Sequence, residues 1–461
     1  METLFLLLFW FIFTLAAGYS ILKILFRKNW PFAFGEALAL SYGAGIAAIS
    51  LGMALMSLFG IKFGIPSILA CFLPLILVAI LIPPRRWGSH LRGGSVGATK
   101  ENKIFSGLEK FFIAVIALEV IYVFFRTLIM PMESYDAIAI YALKSKIFYL
   151  NGMIPPDFFK SFANLVPHIE YPLLMPLAQT QFYVFLGSLN DLLVKSMFPL
   201  YYVSLLTIFY FVSKRFLNRK AALFFTFLLA TIPQVTDFAT NGYADIPFAF
   251  YSCVSFFYLC LWLKQRQNPI LVLSFIFSIF AMWTKAEGLV YALINAAVIT
   301  ACMVKERRIR LIGVGYAVMS VCAVITYILA WRVIGLEVNT DFASTQVPLF
   351  SKIMIGFKRI PAILYEYQIQ FFGPKRWNII WILFISGFIL GFKRIFSKDM
   401  FPVTLGILLI FSSYSVVYML SSAPQGFGWH LSTSGSRLFI HFVPIVVLWL
   451  ALLFKEFKLE I

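Results

Sequence analysis

Apolar runs of about 20 residues recur along almost the whole chain, with short polar stretches between them. Each run is long enough to cross a hydrocarbon layer of roughly 30 Å as an α-helix. The pattern predicts an all-α polytopic membrane protein with about 13 transmembrane helices. The predicted spans cover residues 3–25, 33–59, 62–83, 110–130, 190–213, 220–236, 246–263, 269–284, 288–304, 311–334, 378–394, 400–420 and 437–454.

Basic residues fall mainly in alternate loops, which therefore lie on one side of the membrane. These loops hold 24 of the 38 lysines and arginines, and an excess of both is typical of cytoplasmic loops. We therefore expect an outer N-terminus, a cytoplasmic C-terminus and a location in the bacterial cytoplasmic membrane. The basic loops are residues 23–28, 85–110, 214–220, 264–266, 305–310, 393–398 and 455–458.

One segment, residues 171–187, decides whether this alternation holds. If it crossed the membrane, the basic residues 214–220 would lie outside, so we expect an interfacial, re-entrant or partly buried segment. Two long outer loops then follow, residues 131–189 and 335–377, and the second contains an amphipathic stretch that suits an interfacial helix. The polar run 84–105 is predicted to be a cytoplasmic loop.

The chain is expected to have three parts. Residues 1–109 supply the first spans and a cytoplasmic loop, residues 110–334 the core with the first outer loop, and residues 335–461 an outer amphipathic loop and the last spans. The five cysteines lie within apolar runs without C-x-x-C spacing, so we expect them to pack between helices.

The composition agrees with a membrane protein. Apolar residues make up 61% of the 461 residues and charged residues 13%, with a mean hydropathy of +0.89, whereas an ordinary globular domain carries about a quarter charged residues. The net charge of +18 raises the question of a nucleic-acid partner. No basic patch is interleaved with exposed aromatic residues, so we expect membrane lipids and no nucleic acid as partners.

Acidic residues at two predicted span ends are candidates for catalysis. Glu133 and Asp136 follow the fourth span, and Asp245 stands at the mouth of a later span, where Pro247 suits the first helical turn. A carboxylate that reaches water can act as a general base. Helix capping is the alternative, because the first turn of a helix favours an anion.

Other polar residues at outer span ends are candidates for binding a substrate. Lys285 and Glu287 lie between two short apolar runs, and Arg437, which begins the last span after His430, could hold a phosphate in a bidentate manner. Lys144 follows the first acidic motif and is a further cation. A simple ion pair between Lys285 and Glu287, and a role of Arg437 as an interface anchor, remain alternatives.

The first outer loop ends in His168, Glu170 and Tyr171, which could line a cleft. A divalent metal on His168 and Glu170 stays open, but no third ligand is evident beside them, so no metal site is assigned. The two outer carboxylates, with cations at four span ends, suit an anionic lipid headgroup with a nucleophile to be deprotonated beside it.

Several short motifs occur in an order that points to one superfamily. They are a carboxylate after a span, EYPLLMP at 170–176, FLNRKAAL at 216–223, ADIPFA at 244–249, TKAEG at 284–288 and a final Arg437. This order resembles the C-type (GT-C) glycosyltransferases, the superfamily of protein O-mannosyltransferases and lipid A aminoarabinose transferases. The resemblance covers about residues 110–300, with a weaker echo at 429–444. Three spans precede the motif, and Ala137 follows Asp136 where many members have an Asp-Glu pair, so any role of that acid shifts to Glu133.

The resemblance implies a polyprenyl-phosphate sugar donor and an inverting transfer to a glycan, lipid or protein acceptor on the outer face, with no certain cofactor. Asp136 would be the general base on the acceptor hydroxyl, and Asp245 would orient acceptor or sugar. Lys285, Arg437 and Lys144 would hold the phosphate. The alternative is a transporter or flippase of a lipid-linked or anionic solute, which inverted repeats and broken helices with charges at the midplane would indicate. A ligase or polymerase of surface glycans would share the donor.

Overall fold

Each apolar run that predicts a span is helical over most of its length in the structure. The structure is a computed structural model. It describes residues 2–27, 29–82, 104–334, 349–421 and 426–458. The described residues form 21 α-helices and a π-helix, Asp136–Ala142, with no strand among them. The α-helices are α1 (Glu2–Leu25), α2 (Phe34–Leu58), α3 (Ile65–Leu81), α4 (Gly107–Ile129), α5 (Leu143–Asn151), α6 (Phe158–Ser161), α7 (Leu174–Leu186), α8 (Asp191–Val194), α9 (Met197–Lys214), α10 (Arg219–Ala230), α11 (Pro233–Phe238), α12 (Asp245–Gln265), α13 (Asn268–Thr284), α14 (Glu287–Lys305), α15 (Leu311–Ile334), α16 (Leu349–Phe372), α17 (Pro374–Trp377), α18 (Ile380–Leu390), α19 (Met400–Leu420), α20 (Phe427–Ile440) and α21 (Val443–Glu456). The polar run 84–105 lies almost entirely outside the described residues.

The all-α membrane architecture is confirmed, but the count of 13 spans is not. Within the described ranges, eight helices are long and apolar enough to cross a membrane, and α20 with α21, bent by 47°, makes a ninth if the pair is one span. The apolar helices α3, α13 and α18 have only 17, 17 and 11 residues, and α10 has 12. An apolar run shows where the chain avoids water, but it does not show where a helix inside the run breaks.

The predicted basic loops contact one another at one end of the helices. Arg215 donates to both carboxylate oxygens of Glu36, at 2.6 and 2.8 Å. Further contacts at this end join Arg219 to Glu109, Arg266 to Glu306, Lys305 to the Phe396 carbonyl and Lys455 to Asp399. The loops that the charge pattern groups on one side thus lie together, and their assignment to the cytoplasm stays a prediction.

Residues 171–187, predicted not to cross the membrane, contain the 13-residue helix α7. At 1.5 Å per residue this helix is about 20 Å long, too short for the hydrocarbon layer. Almost all of its side chains are buried, and the Phe182 ring packs edge-on against Trp10 at 4.9 Å. At its end Tyr183 donates to Asp191 at 2.9 Å, where the next helix begins. This burial favours a segment enclosed by the protein over one that rests on its surface.

The amphipathic stretch of the second outer loop forms α16, which packs beside α19. Arg359 donates to three carbonyl oxygens at the end of α19, those of Tyr418, Met419 and Ser421, at 3.3, 3.0 and 2.6 Å. Two turns further along α16, the Tyr367 hydroxyl lies 3.1 Å from Ser415. The contacts advance along both helices, so α16 runs alongside α19 and does not lie flat on a surface.

Helices α1 and α2 pack through residues without bulky side chains. A Cβ at Gly18 would lie 1.9 Å from the Ser41 carbonyl oxygen, and one at Gly45 would lie 1.9 Å from the Thr14 carbonyl oxygen. Small residues let the backbones of membrane helices approach closely. This pair also supports α7, which packs on both helices.

We expect Gly45→Ala to destabilise the protein by about 3 kcal/mol, because the new methyl group meets backbone that cannot move aside. The matched control is Gly315→Ala on α15, where a Cβ meets nothing within 4 Å. That variant should change stability by about 1 kcal/mol or less, in the stabilising direction. Thermal unfolding in detergent measures both, and equal unfolding temperatures would contradict the close packing of α1 and α2.

Candidate active site

Asp245 is the buried centre of a polar cluster at the end of the helices opposite to the basic loops. It is the first residue of α12, and its side chain is 0% exposed. The 21 residues of α12 separate its two ends by about 30 Å. Lys264, near the other end of this helix, donates to the carbonyl of Arg215 in the basic loops. The Asp245 side chain does not cap the helix, because its oxygens bind other side chains.

Three donors from separate parts of the chain surround the Asp245 carboxylate. Oδ1 lies 3.0 Å from Lys285 Nζ and 2.8 Å from His441 Nε2. Oδ2 accepts from Arg437 Nη2 at 3.2 Å. Burial of an unpaired carboxylate costs several kcal/mol, so these donors are what allows a charged Asp245 at this depth.

Arg437 joins Asp245 to the second predicted acid, Asp136. Its Nη2 lies 2.7 Å from Asp136 Oδ2, and its guanidinium group covers the Tyr243 ring at 4.5 Å. Its Nε is buried and has no hydrogen-bond partner among the described residues. A buried N–H group left in this way is unfavourable.

Asp136 begins the π-helix, a geometry that is often found at functional sites. No side chain caps the start of this helix, and the Asp136 carboxylate binds Arg437. Gly242, with φ of +83°, brings the loop before α12 against the π-helix, where an added Cβ would lie 3.2 Å from the Ala137 side chain. Asp136 is 18% exposed, so a substrate can reach it more readily than Asp245.

Lys285 and Glu287 form the predicted ion pair, but the pair is part of the larger cluster. Lys285 Nζ lies 3.1 Å from Glu287 Oε1 and also binds Asp245. Burial lowers the pKa of Lys285, but the carboxylates of Asp245 and Glu287 outweigh that effect and hold the pKa above its ordinary value. Lys285 therefore stays charged between the two carboxylates.

His441, which the sequence reasoning did not select, completes the surroundings of Asp245. It lies at the break between α20 and α21 and is 0% exposed. Its Nδ1 is 3.1 Å from the Tyr414 hydroxyl, which is 3.1 Å from the Tyr291 hydroxyl. Its position within an apolar run was the available signal, because ionisable residues inside a membrane are costly and usually functional.

We call these six residues the Asp245 cluster: Asp136, Asp245, Lys285, Glu287, Arg437 and His441. No family model, curated protein or solved structure matches the chain. The cluster is therefore interpreted from its own chemistry. Three carboxylates face two permanent cations, so the cluster carries one net negative charge when His441 is neutral.

Lys144, predicted to bind phosphate, lies in a second cluster at the end of the first outer loop. Its Nζ donates to the carbonyl oxygens of His168 and Ile169 at 2.6 and 3.3 Å, and its side chain is buried. Burial lowers the pKa of Lys144 to about 7, although the Glu170 carboxylate opposes this shift. Lys144 makes no ion pair with the Asp245 cluster in the part of the chain that the structure describes, and it fastens the loop instead.

The cleft residues His168, Glu170 and Tyr171 surround Lys144. His168 Nδ1 lies 3.3 Å from Glu170 Oε1, and its ring contacts the Tyr171 ring at 4.6 Å. Burial raises the pKa of Glu170, but the His168 side chain and the Lys144 charge outweigh burial and hold the pKa below its ordinary value. No group of three or more His, Cys, Asp and Glu residues that could hold a metal occurs among the described residues.

The last two candidates, Glu133 and His430, lie outside the Asp245 cluster. Glu133 is exposed and forms no ion pair with the cluster residues that the structure describes. His430 Nδ1 is 2.6 Å from the Ser421 hydroxyl, and its ring packs against Tyr418. Glu133 precedes the π-helix that begins at Asp136, and His430 lies on α20, the helix that carries Arg437.

The low pKa of Lys144 predicts a specific effect of pH on stability. Its pKa is about 7 in the folded protein and 10.5 in its ordinary state, so between these values the unfolded chain binds more protons and the wild type gains stability as the pH rises. Lys144→Met cannot titrate and lacks this gain. We expect the unfolding temperature of the wild type minus that of the variant to increase from about pH 7 to about pH 10. A constant difference in detergent-based thermal unfolding would contradict this assignment.

Proposed function

We propose that the protein is an integral membrane glycosyltransferase of the GT-C type, which transfers a sugar from a polyprenyl-phosphate donor to an acceptor on the outer face. The observation that supports this most strongly is the meeting of Asp136, Asp245, Lys285 and Arg437 in one network of ion pairs. Residues that serve as helix caps, interface anchors or isolated ion pairs have no reason to lie together. A general base and the cations of a phosphate site must lie together, because they act on the same substrate.

The burial of the two aspartates suggests how they divide the work. Asp245, fully buried among three donors, suits a positioning role, whereas the partly exposed Asp136 suits contact with the acceptor. The Asp136 carboxylate takes the proton of the acceptor hydroxyl, whose oxygen forms a bond to the anomeric carbon. The bond from that carbon to the phosphate oxygen breaks on the opposite side, and its electron pair leaves with the phosphate. The configuration at the anomeric carbon is inverted.

The cations suit a phosphate that gains charge during this step. The Arg437 guanidinium group lies between the two aspartates, and its side chain is 20% exposed. Lys285 lies on the other side of Asp245 and carries a permanent charge. Fixed cations beside a developing anion lower the barrier without a general acid.

The outer location rests on the charge pattern. The Asp245 cluster and the basic loops lie at opposite ends of α12. If the positive-inside rule assigns the basic loops to the cytoplasm, the cluster faces outward. A polyprenyl-phosphate sugar presented at the outer leaflet would then reach the cluster from the lipid.

One feature supports the second candidate, a transporter or flippase of an anionic lipid-linked solute. The pair α20 and α21 is bent by 47° with His441 at the break, and broken helices are common in transporters. The two functions differ in product. A transferase separates polyprenyl phosphate from the sugar, whereas a flippase moves the intact donor across a proteoliposome membrane.

Asp136→Asn tests the general base. Asparagine has nearly the size of aspartate and can still accept from Arg437 but cannot take a proton, so we expect sugar transfer to fall by a factor of ~10² to 10⁴ while the protein still folds. The purified protein is incubated with membranes of its own cell and a panel of radiolabelled polyprenyl-phosphate hexoses and pentoses. Release of polyprenyl phosphate measures transfer. The matched control is Asp237→Asn, which removes a carboxylate that pairs with Arg126 at 2.7 Å outside the cluster. Transfer by Asp136→Asn at the wild-type rate would refute the mechanism.

Arg437→Gln and Lys285→Met test the phosphate site. Both should weaken the binding of farnesyl phosphate in detergent micelles by at least about tenfold, since a hydrogen bond to a charged group contributes roughly 1.5–3 kcal/mol. Asp136→Asn should not weaken this binding, because its proposed contact is to the acceptor and its negative charge opposes the phosphate. Arg126→Gln is the control for loss of an arginine in an ion pair. Unchanged affinity in both cluster variants would exclude the cations as the phosphate site.

A further inference from the structure

The hydrogen bonds around His441 fix which of its nitrogens carries the proton. The Asp245 carboxylate can only accept, so Nε2, at 2.8 Å, is the donor. In the neutral imidazole Nδ1 is then an acceptor, and the Tyr414 hydroxyl donates to it. Tyr414 has no second proton, so Tyr291 donates to Tyr414. The chain of donors thus runs from Tyr291 through Tyr414 and His441 to Asp245.

Charged and titratable groups face His441 from every element packed around it. Burial of the ring, and then Lys285 Nζ at 3.5 Å from Nε2, disfavour a positive charge on the imidazole. Asp245 and the more distant Glu287 favour it. The groups are Asp245 and Cys253 on α12, Lys285 after α13, Glu287 and Tyr291 on α14, Tyr414 on α19 and Arg437 on α20.

The charge of the cluster is poorly matched to an anionic substrate as long as His441 is neutral. Asp136, Asp245 and Glu287 outnumber Lys285 and Arg437 by one charge. A phosphodiester donor adds another negative charge in a partly buried place, where charges interact strongly. One added proton would offset the charge that the donor brings and reduce the excess of negative charge from two to one.

We propose that His441 is a positioning residue that takes up this proton from water when the phosphate donor binds. The inference rests on the proposed function. Phosphate bound at Arg437 and Lys285 offsets the Lys285 charge that disfavours an imidazolium. The new proton sits on Nδ1 and is donated to the Tyr414 oxygen, and the Tyr414 hydroxyl turns towards Tyr291. The Nε2 contact with Asp245 is kept and becomes an ion pair.

The other groups of the cluster suit this role less well. Protonation of Asp245 would remove an acceptor that three donors share. Asp136 must stay unprotonated to act as the base, and Lys285 and Arg437 already carry their protons. His441 alone in the cluster can gain a proton while keeping its contacts, because the Tyr414 hydroxyl can turn from Nδ1 to the Tyr291 oxygen.

Calorimetry with methyl farnesyl phosphate tests the inference, because this phosphodiester keeps a fixed single charge. The full-length protein in detergent is titrated at pH 7.5 in HEPES and in Tris, whose different heats of ionisation reveal the protons taken up. We expect net uptake approaching one proton per bound molecule. The dissociation constant should increase by up to about tenfold per pH unit as the pH rises, the limit for a single linked proton.

His441→Gln identifies the group that takes up the proton. Glutamine can still donate to Asp245 but cannot titrate, so the variant should bind the probe with no proton uptake and no dependence on pH. His90→Gln, in the polar run assigned to the cytoplasm, is the matched control and should behave as the wild type. Binding without proton uptake by the wild type, or equal uptake by His441→Gln, overturns the role of His441 alone. A wild type that binds no probe overturns the proposed phosphate donor, and the inference with it.

Discussion

The burial of the Asp245 carboxylate is the constraint around which this end of the molecule is built. A charge at 0% exposure needs compensation from fixed partners, and these partners come from three other places in the chain. Lys285 fixes the turn between α13 and α14, Arg437 fixes α20, and His441 fixes the break before α21. Arg437 then holds Asp136 and with it the start of the π-helix. One buried charge thus sets the mutual positions of five α-helices and the π-helix, and loss of any donor would leave the others around an under-compensated carboxylate.

The features that the sequence predicted well are those that depend on neighbouring residues alone. Whether a run of 20 residues prefers lipid to water is decided inside that run, and the basic loops 214–220 and 305–310 follow from simple counting. Asp136, Asp245, Lys285 and Arg437 could be selected because each is a charge at the end of an apolar run. The number of spans could not be predicted in this way. The run 220–236 contains the interruption between α10 and α11, and the length of each piece depends on what packs against it.

The features that the sequence did not predict depend on contacts between distant segments. His441 stands inside the apolar run 437–454, where an ionisable residue is unusual, but nothing near it in the sequence indicates its partners. Its importance comes from Asp245 and Tyr414, which lie on other helices. Lys144 shows the converse case. Its charge and its place beside the acidic motif fit a phosphate ligand, but the carbonyl groups of His168 and Ile169 hold it elsewhere. A cation near a motif in sequence can therefore serve the loop that carries the motif instead of the substrate.

Helix discontinuities explain why polar groups can gather within so apolar a chain. A helix that ends inside the protein leaves carbonyl groups without partners, and in lipid each of these must be satisfied by the protein itself. Side chains do this here: Arg359 caps the end of α19, Asn378 donates to the Thr231 carbonyl after α10, and the Cys253 thiol lies 3.4 Å from the His441 carbonyl oxygen. At these helix interruptions polar backbone groups are not bonded within a helix, and the side chains point in directions that a continuous helix would not allow. Asp136, Asp245, Lys285 and His441 all lie at a helix start, turn or break. The need to satisfy interrupted helices and the ability to hold an anionic site therefore have one structural origin.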